Sequence, residues 1–162
     1  YAEDVLFELA ATGYVPVLAH PERNHGLSQR FDVMLRMIER GALMQLEAGS
    51  VVGAYGPIAQ QCAMDMIDRR MCHFIASDAH RPGAYDTLIP RSIEAVAARI
   101  GREAADALFD ANPAAALAGE RPVIDQPISE EEWREGRRRK EKAGRFNIPP
   151  VKKWWGKQGS NL

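Results

Sequence analysis

Three short apolar runs constrain this chain more than any other feature, because each is closed by polar residues and separated from the next by helical periodicity. Tyr14-Val15-Pro16-Val17-Leu18-Ala19 leads into His20-Pro21-Glu22-Arg23, Ala42-Leu43-Met44-Gln45-Leu46-Glu47-Ala48 into Gly49-Ser50, and Cys72-His73-Phe74-Ile75-Ala76-Ser77 into Asp78-Ala79-His80. Continuous apolar runs of this length read as buried strands, and strands alternating with helices read as an α/β fold with a parallel sheet covered by helices. An open sheet and part of a barrel both satisfy that pattern. Pro16 slightly weakens the strand reading of the first run.

The intervening segments carry their own start and stop signals. Tyr1, Val5, Leu6, Leu9 and Ala10 recur at helical spacing up to Gly13, and Phe31, Met34, Leu35 and Ile38 share a helical face that ends at Gly41. Glycine suits the left-handed position after a helix in both places. Residues 49–56, with three glycines and a serine, predict a loop before a helix over 57–70 that has Pro57 in its first turn. Further helices are predicted over 90–99, 102–110 and 113–117. The sequence starts at Tyr1 within a helical pattern, and three strands make a thin sheet with edges that need a partner, so a fragment of a longer domain is expected.

Composition bounds the function. Across 162 residues, 46% are hydrophobic and 27% charged, with a net charge of -1, which suits one globular domain and argues against nucleic acid as a partner. Cys62 and Cys72 form no C-x-x-C pair and read as buried thiols of a reducing compartment. No apolar run approaches the ~18 to 20 residues of a membrane span, and the start has no signal-peptide pattern, so a cytoplasmic location is expected. Charge is unevenly spread. Residues 125–162 hold 10 basic and 6 acidic residues, net +4, while residues 1–124 hold 11 and 16, net -5. The division drawn from this is a globular part, 1–124, and a basic, partly disordered tail, 125–162. Within the tail, Glu130 to Lys142 can form a charged helix, and Lys152-Lys153-Trp154-Trp155 can serve as a docking cluster.

Chemistry-bearing residues collect just after the strands. His20, Glu22 and Arg23 follow the first, and Asp78 and His80 follow the third. The C-terminal ends of parallel strands form one face where loops vary over a rigid scaffold, so these residues can meet in one cleft. Two imidazoles and a carboxylate offer nitrogen and oxygen donors suited to Mn, Fe or Zn, with no thiolate among them. Arg23 suits phosphate, since its guanidinium donates two parallel hydrogen bonds and stays charged. Taken singly, His20 reads as a core histidine, Glu22 and Arg23 as a surface ion pair, and Asp78 as a turn cap; two such motifs closing two strands favour a site. Ser50 can present its hydroxyl to an anion, although its glycine-rich segment matches no P-loop and reads more simply as a loop. His25 reads as a turn residue and His73 as a packed one.

The stretch from Gly13 to Arg23, then Gln45 through Gly49-Ser50, then His73 to His80, followed by Asn112-Pro113, resembles the bacterial manganese-dependent tyrosine-protein phosphatases of capsular and exopolysaccharide synthesis. These belong to the polymerase and histidinol phosphatase (PHP) superfamily, and the resemblance covers about residues 1 to 118. It implies the C-terminal portion of a distorted PHP-type (β/α) barrel with a metal cluster at the strand ends. It further implies His20, Asp78 and His80 as metal ligands, Arg23 as the catalytic, phosphate-binding arginine, and hydrolysis of phosphotyrosine by metal-activated water. Manganese is the metal implied, with Fe or Zn as substitutes, and the implied partner is a phosphotyrosine protein, a bacterial tyrosine kinase of polysaccharide export. Arg81 follows His80 at once, where the family offers an arginine several residues on, and is the second phosphate candidate. The family takes further ligands from a first half that opens with a His-x-His strand, which has no counterpart here, so the chain alone is expected to be inactive and poorly soluble. Other readings are a PHP phosphoesterase of small molecules such as histidinol phosphate, or a non-catalytic remnant that binds a partner through its tail.

Overall fold

Strands β1 (Val17–Ala19), β2 (Leu43–Glu47) and β3 (Phe74–Ala76) pair in parallel in that order. The arrangement comes from a computed structural model that describes residues 2–80 and 83–142. Val17 stands opposite Leu43, Gln45 opposite Phe74, and Glu47 opposite Ala76. Side chains alternate across a sheet, so Leu18, Met44, Leu46 and Ile75 share one face. That face meets α2 (Phe31–Glu39) through Met34, Met37 and Ile38, and α4 (Pro57–Asp68) through Cys62, Ala63 and Met66, in one buried cluster. Five methionines, Met34, Met37, Met44, Met66 and Met71, are almost fully buried there, and their unbranched side chains fill an irregular space between short strands. Cys62 and Cys72 are free, buried thiols, and burial raises both pKa values, Cys62 to about 12.

The opposite face is only partly covered. Leu43, Phe74 and Glu47 are buried, whereas Val17 is 46% exposed. The prediction of a buried first strand over 14–19 is therefore corrected: the ladder is three residues long and exposed at both ends, because β1 is an edge strand and Tyr14 and Val15 lie outside the pairing. The carbonyl of Pro16 still accepts a hydrogen bond from the Leu43 amide at 2.8 Å.

Helix α1 (Ala2–Ala11) precedes the sheet, and its acidic Glu3 pairs with Arg36 and Arg40, at the end of α2. The segment predicted as a loop after β2 contains one turn of helix, α3 (Ala48–Val51), which is buried throughout. The helix predicted to begin at Pro90 starts earlier, as α5 (Ala84–Ile100). Proline removes one backbone donor and the helix runs on, with the Ile89 carbonyl accepting the Ser92 hydroxyl at 2.8 Å. Arg99 holds Asp68 in a bidentate pair that ties α5 to the end of α4. After α6 (Arg102–Asp106), a π-helical turn (Ala107–Ala111) leads into α7 (Asn112–Leu117). Asn112 is buried, and its amide donates to the His73 carbonyl at 2.9 Å.

The chain separates into two compact units, Tyr1–Glu130 and Glu131–Leu162. The end of the first is tied down where Ile128 donates to the Arg69 carbonyl and Arg69 pairs with Glu130 at 2.6 Å. Helix α8 (Glu130–Lys142) occupies the segment where a charged helix was predicted, with an Arg139–Glu135 pair at i,i+4. The Lys152-Lys153-Trp154-Trp155 cluster lies outside the described residues. No helix among the described residues is long and apolar enough to cross a membrane.

Candidate active site

The end of β1 shows how the sequence shapes this site. The His20 amide donates to the Gln45 carbonyl at 2.8 Å, extending the ladder by one residue. His20 then takes a left-handed conformation (φ 39°, ψ 51°), and Pro21 starts a 3-10 turn over Pro21–Arg23 that is closed by the Arg23 amide on the His20 carbonyl. Asp78, after β3, is also left-handed (φ 47°). Non-glycine residues pay for such conformations with about 1 kcal/mol or more, and they cluster where function fixes the backbone. Among the described residues, two of the three left-handed non-glycine residues are therefore ones that the sequence singles out; the third, Arg70 (φ 56°), follows the end of α4, where a left-handed residue commonly closes a helix.

The turn drives Glu22 inward and Arg23 outward. Glu22 is 1% exposed and accepts the Glu47 amide at 3.0 Å, which fixes the end of β2. Burial, set against hydrogen bonding, raises its pKa, and the neighbouring Glu47 carboxylate adds to the rise. The Ser50 hydroxyl lies beside this carboxyl, but neither Ser50 Oγ nor Glu22 Oε2 makes a well-formed hydrogen bond. Ser50 is fully buried, so the possibility that it presents its hydroxyl to an anion is not met: α3 turns it into the core. The surface-pair reading of Glu22 with Arg23 also fails, since Glu22 is inside and Arg23 pairs elsewhere.

Arg23 reaches across the strand ends. Its Nη1 donates to Glu47 Oε2 at 2.5 Å and lies 3.8 Å from Asp78 Oδ2. Tyr55 donates its hydroxyl to Glu47 Oε1, and the Arg23 guanidinium lies over the Tyr55 ring at 4.1 Å. Burial disfavours the Arg23 charge, but the Glu47 carboxylate outweighs it and raises the pKa. Tyr55 is raised as well, by its hydrogen bond to Glu47 and then by burial. Both groups therefore hold their protons at neutral pH.

His80 is exposed, with Nδ1 2.6 Å from the Asp78 carbonyl oxygen and 4.0 Å from Asp78 Oδ1. A ring nitrogen bonded to a carbonyl oxygen must carry a proton, so in the neutral ring Nε2 is the nitrogen with the lone pair. Metal-binding histidines are commonly oriented in this way. The donor chemistry of His20, Asp78 and His80 thus fits a borderline divalent ion, as a partial set: among the described residues no three His, Cys, Asp or Glu converge on one point. Arg81 lies outside the described residues. Sequence reasoning missed Glu47 and Tyr55. The signal for Glu47 was present, since it is an acidic residue closing an apolar strand, just as Asp78 follows one; Tyr55 gave none.

A family model described as capsular polysaccharide synthesis, CpsB/CapC, matches residues 1–118. The chain belongs to this CpsB/CapC family. Among its relatives, the putative tyrosine-protein phosphatase CapC of Staphylococcus aureus is 42% identical over 80 residues, which cover 49% of this chain and 31% of that protein. The tyrosine-protein phosphatase YwqE of Bacillus subtilis is 36% identical over 80 residues, covering 49% and 32%. A solved structure from work on YwqE and on CpsB of Streptococcus pneumoniae, described as unique metal-dependent tyrosine phosphatases, aligns with a TM-score of 0.73 and 27% identity. That alignment covers 79% of this chain and 51% of the solved one. The match spans about a third of the length of the two CpsB/CapC relatives.

Proposed function

We propose that this chain carries the phosphate-binding and metal-binding end of a phosphotyrosine phosphatase that regulates polysaccharide synthesis or export. The observation that carries the reading is Arg23, a half-exposed guanidinium beside Asp78 at the C-terminal end of a parallel sheet, in a chain of the CpsB/CapC family. Residues 1–124 would be the C-terminal portion of a PHP-type barrel, whose further strands would close over the face that carries Val17 and Ala19. Residues 125–162 would be an appended basic tail. The expected partner is a phosphotyrosine protein, a tyrosine kinase of polysaccharide export, and the expected location is the cytoplasm.

His20, Asp78 and His80 would hold a divalent ion, with manganese the first choice. Such an ion supplies Lewis-acid chemistry, lowering the pKa of water and offsetting phosphoryl charge. Arg23 orients the phosphate by two parallel hydrogen bonds, and the carbonyl of Asp78 keeps the His80 proton on Nδ1. Metal affinity grows with the number of preformed donors, so the partial set predicts weak loading and little turnover by this chain alone.

The test is hydrolysis of p-nitrophenyl phosphate and a phosphotyrosyl peptide with Mn2+, by this chain and by a longer one that adds histidine and carboxylate donors. The longer protein is expected to be active, to lose activity with Asp78→Ala, and to fall by roughly 100-fold with Arg23→Ala, the scale of removing one oriented charge from a phosphoryl site. Faster hydrolysis of histidinol phosphate than of the peptide would sink the phosphotyrosine reading. Strong activity in the 162-residue chain, abolished by Asp78→Ala, would refute the partial-set expectation.

A further inference from the structure

The geometry points to Glu47 as the positioning residue that aims Arg23 at an oxyanion, with Tyr55 completing the clamp. This rests on the phosphate-binding role proposed for Arg23 and adds to it the group that makes the arginine ready. The Glu47 side chain is 1% exposed, and each of its oxygens has its own donor, Tyr55 on Oε1 and Arg23 on Oε2. Its backbone is fixed as well, because the amide is held by buried Glu22. The carboxylate therefore cannot swing away to follow the arginine.

What the clamp leaves open makes it more than a structural ion pair. It takes Nη1 and covers one face of the guanidinium with the Tyr55 ring, while among the described residues Nε and Nη2 have no hydrogen-bond partner. Nε and Nη2 form the edge whose two parallel N–H bonds match a phosphate or carboxylate. The Arg23 side chain is 38% exposed beside Asp78, so a ligand can reach that edge from solvent. A free arginine must lose rotamer freedom on binding an anion, whereas one already fixed by Glu47 and Tyr55 loses little, which raises affinity without a new contact. The ligand class is a phosphate monoester or orthophosphate, approaching that open edge.

The test uses the 162-residue chain with 15N-labelled arginine, Mg2+ as a diamagnetic divalent ion and orthophosphate as the probe, with Arg23→Lys identifying the Arg23 signals. A clamped Arg23 is expected to give separate Nη1 and Nη2 signals and a slowly exchanging Nε–H. Glu47→Ala is expected to merge the Nη signals and weaken phosphate binding roughly tenfold, with Glu47→Gln and Tyr55→Phe about threefold weaker, the range of one or two preorganising contacts. If Glu47→Ala does not fold, the near-isosteric Glu47→Gln and Tyr55→Phe carry the same comparison. Averaged Nη signals in the unaltered chain, or clamped signals that ignore every Glu47 variant, overturn the proposal. Signals that depend on Glu47 but not on phosphate overturn the phosphate role of Arg23, and the inference falls with it for that separate reason.

Discussion

His73, immediately before β3, ties three segments together: its Nδ1 accepts the Met44 amide at 2.9 Å, its own amide donates to the Met44 carbonyl, and its carbonyl accepts Asn112. It is 2% exposed, and burial pushes its pKa down to about 4. In the unfolded chain the imidazole titrates near its ordinary ~6.5. Between these values the unfolded state holds more protons than the fold. Stability therefore rises with pH across this window and is lost as pH falls from 6.5 toward 4, by up to ~1.4 kcal/mol per unit. Glu22 works in the opposite sense. Its raised pKa means that the fold holds the proton more tightly, so its contribution is complete below the ordinary value of 4.5 and fades as pH rises through the raised one. His73→Asn keeps an acceptor near the Nδ1 position and removes the titration. Urea midpoints measured from pH 4 to 6.5 are expected to drop more toward acid in the unaltered chain than in the variant, the difference being the His73 contribution because Glu22 acts equally in both. An unchanged slope would mean that His73 takes up its proton in the fold as readily as in the unfolded chain.

At the scale of elements, Gly49 in α3 decides where Tyr55 can sit. A Cβ at Gly49 would lie 2.5 Å from Tyr55 Cε2, so Gly49→Ala cannot coexist with the ring in place. Tyr55 is 43% exposed and can swing outward, while alanine improves the propensity of the helical turn. The net change in stability is expected to stay within ~1 kcal/mol, but the Arg23 clamp is expected to open, seen as merged Arg23 Nη signals. A large drop in thermal stability with the clamp intact would contradict this. Such a contact was not legible in the sequence, because it depends on how a glycine-rich stretch folds back on itself. The three strands were legible, since continuous apolar runs leave few alternatives. The exposure of β1 was not, because being an edge is a property of the sheet order and not of Val17 or Ala19. His20 and Asp78 stood out by closing two of those runs, while Glu47 was read as the end of a strand, and only the pairing with Arg23 distinguishes it from a solvated carboxylate. Pro90 misled for a local reason: proline marks a first helical turn by propensity, yet packing carries α5 through it.

For the molecule as a whole, what is left uncovered follows from the order of the sheet. Among the described residues β1 pairs only with β2, so its outer side has no strand neighbour. Along and just before it, Val17 is 46% exposed, Tyr14 68% and Val15 40%. An edge strand flanked by large apolar side chains is a template for pairing with another chain, and soluble proteins commonly blunt such edges with charge, above all lysine. None of residues 14–19 is charged. The net charge of -1 adds little repulsion between copies to oppose the contact. Association of the 162-residue chain with itself is therefore expected to rise with concentration, read as an increasing weight-average sedimentation coefficient. Val17→Lys places a cation on the open face of β1 without touching the Leu18, Met44 and Leu46 core, so it is expected to shift the chain toward monomer with little change in its unfolding midpoint. A monomeric unaltered chain at high concentration would show that the exposed apolar row does not drive association, and an unfolded Val17→Lys variant would show that Val17 contributes to the core from the open face.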